Sequence, residues 1–466
     1  MTLERLAATC IFPSFAGPVA PAWVLRRLER GLGGLCLFAY NVRDREQLAA
    51  LTASLRAARD DVVIGIDEEG GDVTRLEAAR GSSYPGNGAL GAVDDLELTE
   101  QVAAAIAADL RDVGVNLDFA PVADVLVNPA NPVIGIRSFG SDPGLVSRHV
   151  AAFVRGLQRQ GVAACAKHFP GHGATEQDSH LELPVVTDDV REGFPPFRAA
   201  IDTGVQAIMT AHVLVPALDD VPATVSPAIL RLLRDELGYD GVVIADALEM
   251  KAVSETIGVE RSAVRALSAG VDALLIGHDL HEEAVAAVQQ ALVEAVAAGE
   301  LREERLREAA ARVERLGAWA AAGESAPADA DAGRTVARRA LEVHGDVALE
   351  PAPLVVELRP AANMAAGQAE HALGEILAER VPGTRSVFVA EGGAVPDARP
   401  AIVVVRDAHR HAWMRELAER LSPAVVVEVG VPVWRPRGPA YIATYGGSRV
   451  SFEAVVDVLA GVGAAA

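Results

Sequence analysis

The sequence predicts an α/β protein: a (β/α)8 barrel of the TIM type followed by a second, smaller α/β sandwich domain. Three observations carry that expectation. Short β-rich apolar runs alternate with Ala/Leu/Arg-rich helical stretches, the pattern of parallel strands joined by crossover helices. The barrel-like units fit within about 280 residues, the usual scale of a closed barrel. The stretch 322–334 (AGESAPADADAGR) then breaks the composition with small, polar and proline residues before a second α/β pattern begins.

The strands expected in the first unit are 6–12, 34–38, 62–67, 115–119, 162–167, 205–211, 242–246 and 271–276. Helical patterns fall between them, at 43–59, 98–113, 143–160, 226–237 and 259–269. From 281 to 321 Val285, Val288, Leu292, Val293 and Val296 recur near helical spacing. The barrel is therefore assigned to 1–321, a linker to 322–334 and the second domain to 335–466. Within the second domain, strands are expected at 354–358, 386–389, 401–405, 424–429 and 440–444, with helices at 368–379, 411–421 and 451–459.

A chain of 466 residues suits a large barrel with a partner domain. Half its residues are hydrophobic but only 4% are aromatic, so Ala, Val and Leu must do most of the packing. The formal charge of −22 repels nucleic acid and anionic membrane surfaces, and its plain reading is solubility. Cys10, Cys36 and Cys165 are far apart in apolar runs, as expected of buried free thiols in a reducing compartment. Residues 1–15 lack a basic segment followed by a long apolar one, and no run reaches the ~18 apolar residues of a membrane span. A cytoplasmic location is expected, with no membrane partner.

In a barrel of this type the chemistry lies where the strands end. Several apolar runs here stop abruptly at polar residues: Asp67, Glu68 and Glu69 after the third, Asp118 in the fourth, Lys167 and His168 in the fifth, His212 after the sixth, Asp246 after the seventh. Any one of these is an ordinary strand terminus. Together they describe one polar rim, with Arg75, Arg137, His172 and His180 on adjoining loops. A rim of mixed charge suits a neutral, hydroxyl-rich ligand, and a carboxylate on it can attack an anomeric carbon while a nearby acid protonates the leaving oxygen. His168 and His172 are four apart, but Pro170, Gly171 and Gly173 prevent the continuous helix that a zinc-binding pair would need, so no metal and no other cofactor is expected. Neither a phosphate-binding glycine loop nor a serine-hydrolase elbow is present.

The segment Lys167-His168-Phe169-Pro170-Gly171-His172-Gly173-Ala174-Thr175-Glu176-Gln177-Asp178-Ser179-His180 resembles glycoside hydrolase family 3, in the branch of bacterial β-N-acetylglucosaminidases. Supporting matches run through the first domain at GLCLFAYN (34–41), GIDEEGGDVTRL (65–76), GVNLDFAPVADV (114–125), NPVIGIRSFG (131–140), MTAHV (209–213) and GVVIADALEM (241–250). The stretch 426–461 is similar to the family's C-terminal domain, more weakly. The resemblance implies that Asp246 is the nucleophile of a retaining mechanism. It implies that His180, oriented by Asp178, is the general acid and base. Asp67, Arg75, Arg137, Lys167 and His168 would hold the sugar hydroxyls, and His212 would help shape the pocket. It implies no catalytic residue beyond Arg334. The family usually has Gln where Glu68 stands, a basic residue where Asp72 stands and a polar one where Ala174 stands.

An imidazole with a reference pKa near ~6.5 can serve as acid and then base around neutrality, and a carboxylate beside it fixes its tautomer. On spacing alone, Asp178 and His180 remain open to a plainer reading as two solvated loop residues. Gly171 and Gly173 could act as hinges that let this loop deliver the acid. Three functions are compatible with the residues. The first is release of terminal β-linked N-acetylglucosamine from muropeptide or chitooligosaccharide fragments. The second is phosphorolysis of the same bond, since a histidine does not repel phosphate as a carboxylate does. The third is a non-catalytic sugar-binding protein. The expected partner is a small oligosaccharide, with the chain a monomer or homodimer.

Overall fold

The structure, a computed structural model, describes residues 1–175, 177, 183–250, 258–277, 281–323, 326–360 and 372–461. Its first sheet contains β1 (Ile11–Pro13), β2 (Gly34–Leu37), β3 (Val63–Ile66), β4 (Leu117–Asp118), β5 (Ala163–Phe169), β6 (Ala207–Thr210), β7 (Val242–Ala245) and β8 (Ala273–Ile276). Every hydrogen-bonded pair is parallel, and the order runs β1-β8-β7-β6-β5-β4-β3-β2. The ends of that order, β1 and β2, lie side by side and close the barrel. Gly34 permits this closure: a Cβ there would come within 2.6 Å of the Phe12 ring and 2.7 Å of the Val63 carbonyl oxygen.

Alternation along the strands builds two cores. Phe12, Cys36, Cys165, Met209, Ile244 and Leu275 point inward and fill the barrel, while neighbours such as Ile11, Leu35, Val243 and Leu274 point outward beneath the helices. Phe119 joins the inner layer and occupies the space left by Gly65, where a Cβ would sit 2.5 Å from the ring. Helix Glu303–Ala322 adds Val313 and Leu316 to the inner cluster. Val313 lies against Gly33, just before β2, so this helix closes the N-terminal end of the barrel and leaves the other end for the loops. Cys10, Cys36 and Cys165 are buried free thiols. Among the described residues no helix is long and apolar enough to cross a membrane.

The expected first strand, 6–12, is corrected by the structure. Leu3–Thr9 is a helix, capped by the Thr2 hydroxyl, and the strand is only Ile11–Pro13. Leu6, Ala7 and Cys10 recur at helical spacing and bury one face, and an apolar run this short does not declare its period. The composition break also conceals structure. Helix Ala332–Arg339 starts inside 322–334 and buries Ala332, Val336 and Ala337. It packs on helix Leu96–Asp112 of the barrel and on helix Arg449–Leu459 beyond it, and Gly333 lies against the Ser83 carbonyl.

The second sheet has the order β11-β10-β12-β13-β14-β9. Its members are β9 (Glu342–His344), β10 (Leu354–Leu358), β11 (Arg385–Val389), β12 (Ile402–Val405), β13 (Val425–Glu428) and β14 (Ala440–Ala443). All pair in parallel except β9, an antiparallel edge strand not expected from the sequence. Apolar clusters cover both faces, as an α/β sandwich requires.

Candidate active site

The C-terminal ends of the barrel strands carry a network of buried ions. Lys167, on β5, places its ammonium 2.7 Å from Asp67 Oδ1 and 2.7 Å from Glu69 Oε1. The Arg137 guanidinium grips Glu69 with two bonds, Nε to Oε2 at 3.0 Å and Nη2 to Oε1 at 2.7 Å. Arg75 Nη2 lies 3.6 Å from Asp67 Oδ2. Lys167, Glu69 and Arg137 are each at most 9% exposed, whereas Asp67 retains 20%, so Asp67 is the member that opens toward solvent.

Burial opposes ionisation throughout this network, and the facing charges decide the outcome. Burial alone would raise the Asp67 carboxyl, but Lys167 and Arg75 outweigh it and hold it below the ordinary range. Burial would likewise raise Glu69, yet Arg137 and Lys167 drive it well below normal. For Lys167 burial favours the neutral amine, and Asp67 with Glu69 reverse that and push it up. The four groups are therefore ionised together at neutral pH. A ring of fixed donors and acceptors of both signs can address adjacent hydroxyls without itself moving.

A second cluster fixes the histidines. Asp124, after β4, accepts from His168 Nδ1 at 2.7 Å and from the His172 backbone N–H at 2.6 Å. Burial would raise the Asp124 carboxyl, but His168 and then His172 bring it below normal. Burial dominates at His172 and lowers it to about 4, so that imidazole is neutral at pH 7. Its Nδ1 meets the Thr175 hydroxyl at 2.8 Å, and Asn131 donates to the carbonyls of His172 and Thr175. The register of β5 against β6 shifts between Lys167 and Phe169, an irregularity of the kind that re-aims side chains beside a site.

Asp246 follows β7. Its Oδ1 accepts from the Ala247 N–H at 2.8 Å, and the side chain is half-buried. His212, after β6, donates from Nε2 to the Ala247 carbonyl at 3.0 Å and places Nδ1 2.8 Å from the Thr224 hydroxyl. It thus braces the turn that presents Asp246. Asp67 and Asp246 both lie within electrostatic reach of the buried thiols of Cys36 and Cys165, which places them around the same end of the barrel interior.

The structure thus brings Asp67, Arg75, Arg137, Lys167, His168 and Asp246 to one end, with His212 behind Asp246. Asp178 and His180 lie outside the described residues. Gly173 does not fit the expected hinge. A Cβ there would lie 1.8 Å from the Val125 carbonyl oxygen, and its own carbonyl accepts from Asn128, so it is an anchoring point where two backbones touch. Sequence reasoning placed Glu69 on the rim without a partner and singled out neither Asp124 nor Asn131. Glu69 stands two residues from Asp67, but its partner Arg137 is 68 residues away, a separation no local pattern displays.

A parallel barrel that arms its C-terminal rim with paired acids and cations has the form of a barrel enzyme, in which the chemistry sits at that rim. The model of the glycosyl hydrolase family 3 N-terminal domain matches residues 24–316, and the chain belongs to that family. A β-hexosaminidase of Bordetella avium is 40% identical over 264 residues, which cover 54% of this chain and 75% of that protein. β-Hexosaminidase A of Pseudoalteromonas piscicida is 36% identical over 317 residues, and the chain spans about half of its length (53%). A solved family 3 β-N-acetylglucosaminidase from a Paenibacillus species superposes with a TM-score of 0.89 at 32% identity, covering 99% of this chain and 97% of that one.

Proposed function

We propose that the protein is a retaining β-N-acetylglucosaminidase that releases terminal β-linked N-acetylglucosamine from muropeptide or chitooligosaccharide fragments. The observation that carries the reading is the shared end of the barrel: Asp246 is presented at the close of β7 on the same rim as the Asp67–Lys167–Glu69–Arg137 network. The relatives named above support the sugar class.

In this reading Asp67, Arg75, Lys167, Arg137 and His168 hold the hydroxyls of the terminal ring. An Asp246 carboxylate oxygen forms a bond to the anomeric carbon as the bond to the leaving oxygen breaks, and His180 gives its proton to that oxygen. Asp178 fixes the imidazole. The resulting glycosyl ester is opened by water after His180 takes a proton from it, and the configuration at carbon 1 is retained.

The test is a panel of aryl β-glycosides (N-acetylglucosaminide, glucoside and xyloside), each with and without phosphate. Free N-acetylglucosamine, released at a rate independent of phosphate, is the expected result. Preference for the glucoside would overturn the sugar assignment, and accumulation of sugar 1-phosphate would replace hydrolysis by phosphorolysis.

A further inference from the structure

The second domain grips the barrel at two loops, and both carry residues of the site. The first is the turn after β3. Gly70 and Val73 pair across it, the Glu69 N–H donates to the Val73 carbonyl, and Gly70 and Gly71 adopt positive φ angles. The tip of this turn is Gly71-Asp72, while its legs carry Glu69 and, further on, Arg75. At the tip Asp72 forms an ion pair with Arg406 and accepts from the Gly447 N–H at 2.9 Å. Asp72 and Arg406 are 10% and 27% exposed, so water screens the pair weakly. The second loop leads into Arg137. His409 donates to the Pro129 carbonyl at 2.7 Å, Val431 sits 3.8 Å from the Cβ position of Gly135, and the Ile136 side chain lies against Gly446.

The gripping surface is itself stiff. It consists of the segments that follow β12, β13 and β14. Glu428 accepts from the N–H groups of Asp407, Ala408 and Gly430, and Asp407 Oδ1 accepts from the Val431 N–H, so the first two segments are tied to each other. The Thr444 N–H donates to the Glu428 carbonyl and ties in the third. A rigid platform fastened to a turn tip transmits its position to the turn's legs.

We propose that Asp72 and Arg406 are positioning residues: their ion pair, seated on the strand-end platform of the second domain, fixes the turn that carries Glu69 and Arg75 and thereby sets the affinity for the sugar ring. This rests on the functional reading above. It leaves in place the expectation of no catalytic residue beyond Arg334, since Arg406 would act on the site without touching substrate. It also gives Asp72 a use.

The experiment compares wild type with Arg406→Met, Arg406→Lys, Asp72→Asn and the double variant Asp72→Asn/Arg406→Met in the full chain. KM and kcat are measured on aryl β-N-acetylglucosaminide, and amide hydrogen exchange is followed across 67–76. Each single removal should raise KM by roughly tenfold with kcat within about threefold, the double variant should be no worse than the singles, and Arg406→Lys should recover most of the loss. Exchange at 67–76 should quicken in Arg406→Met. Unchanged KM in folded single variants, or additive losses in the double variant, would overturn the proposal. If Arg406→Met fails to fold, Arg406→Lys and Asp72→Asn carry the same comparison. If the wild type turns over no N-acetylglucosaminide, the functional reading fails, and unchanged exchange at 67–76 would still refute the clamp on its own terms.

Discussion

The two ends of the barrel each bury a cluster of charges, and they bury them differently. At the N-terminal end Asp272, just before β8, accepts from Arg234, Arg305, Arg312 and the Val243 N–H. Further donors go to backbone carbonyls, Arg305 to Leu267 and Val271 and Arg234 to Tyr239 and Gly241, and to two more carboxylates, Arg305 to Glu308 and Arg312 to Asp240. That cluster is closed, knotting helix and strand starts together. At the C-terminal end Lys167, Asp67, Glu69 and Arg137 pair around an opening, and Asp246 lies half-exposed on the same rim. A buried ion cluster therefore does not announce a site by itself. What separates the two is the shared anion: Asp272 is fully buried among its arginines, whereas Asp67 keeps 20% of its side chain exposed.

The largest effect is expected of Asp246→Asn, at the open end. On the proposed mechanism it should lower kcat by a factor on the order of 10⁴ or more, because an amide does not replace a carboxylate nucleophile. Its melting temperature should stay near that of wild type. Turnover close to wild type would remove Asp246 from the chemistry.

Asp272→Asn is the matching change at the closed end. It leaves arginines without their shared anion, and breaking a buried pair in this way costs about 3–5 kcal/mol. Urea denaturation should show that loss, while kcat per folded molecule stays at the wild-type value. A large kcat loss with unaltered stability would invert the assignment of the two ends.

Glu68 lies buried beside the open end, next to Asp67 and Glu69. Its Oε2 accepts from the Arg75 and Leu76 N–H groups, and burial pushes its carboxyl up to about 7 from 4.5. The folded state then keeps a proton that the unfolded state has released, so its contribution to stability falls as pH rises from 4.5 toward 7 and is flat above. Glu68→Gln mimics the protonated form. Relative to wild type it should gain stability on the order of 3 kcal/mol at pH 8 and almost nothing at pH 4.5, measured by denaturation at both. A gain independent of pH would show that Glu68 is ionised in the fold.

A smaller effect is expected for Lys167→Met. Losing one cation from a network that keeps Arg75 and Arg137 should reduce kcat/KM by roughly 10- to 100-fold, mostly through KM. An unchanged KM would mean that the sugar is held elsewhere.

Much of the frame was legible in the sequence because strand period and abrupt polar termini are local signals. Helix 259–269 was expected with the bounds it has, and the strands that end at Asp67, Lys167 and Asp246 were placed within a few residues. What escaped was non-local or brief. Leu3–Thr9 is too short to show whether its period is that of helix or strand. β9 has three residues and is mostly exposed, so it carries no alternation to read. The partners Glu69–Arg137 and Asp124–His168 join segments 68 and 44 residues apart, and Asp72–Arg406 spans 334. Charges meeting across such separations leave no spacing in the text, which is why the rim's residue types could be named but their pairing could not.

The identity of the carboxylate that bonds to the sugar can be measured. A 5-fluoro glycosyl fluoride of N-acetylglucosamine, which forms the glycosyl ester and releases it slowly, followed by peptide mapping in a mass spectrometer, reads this directly. A single adduct is expected on the peptide that contains Asp246, absent from Asp246→Asn. An adduct on Asp67 or Glu69, or unlabelled enzyme that consumes the reagent, would contradict the proposed mechanism.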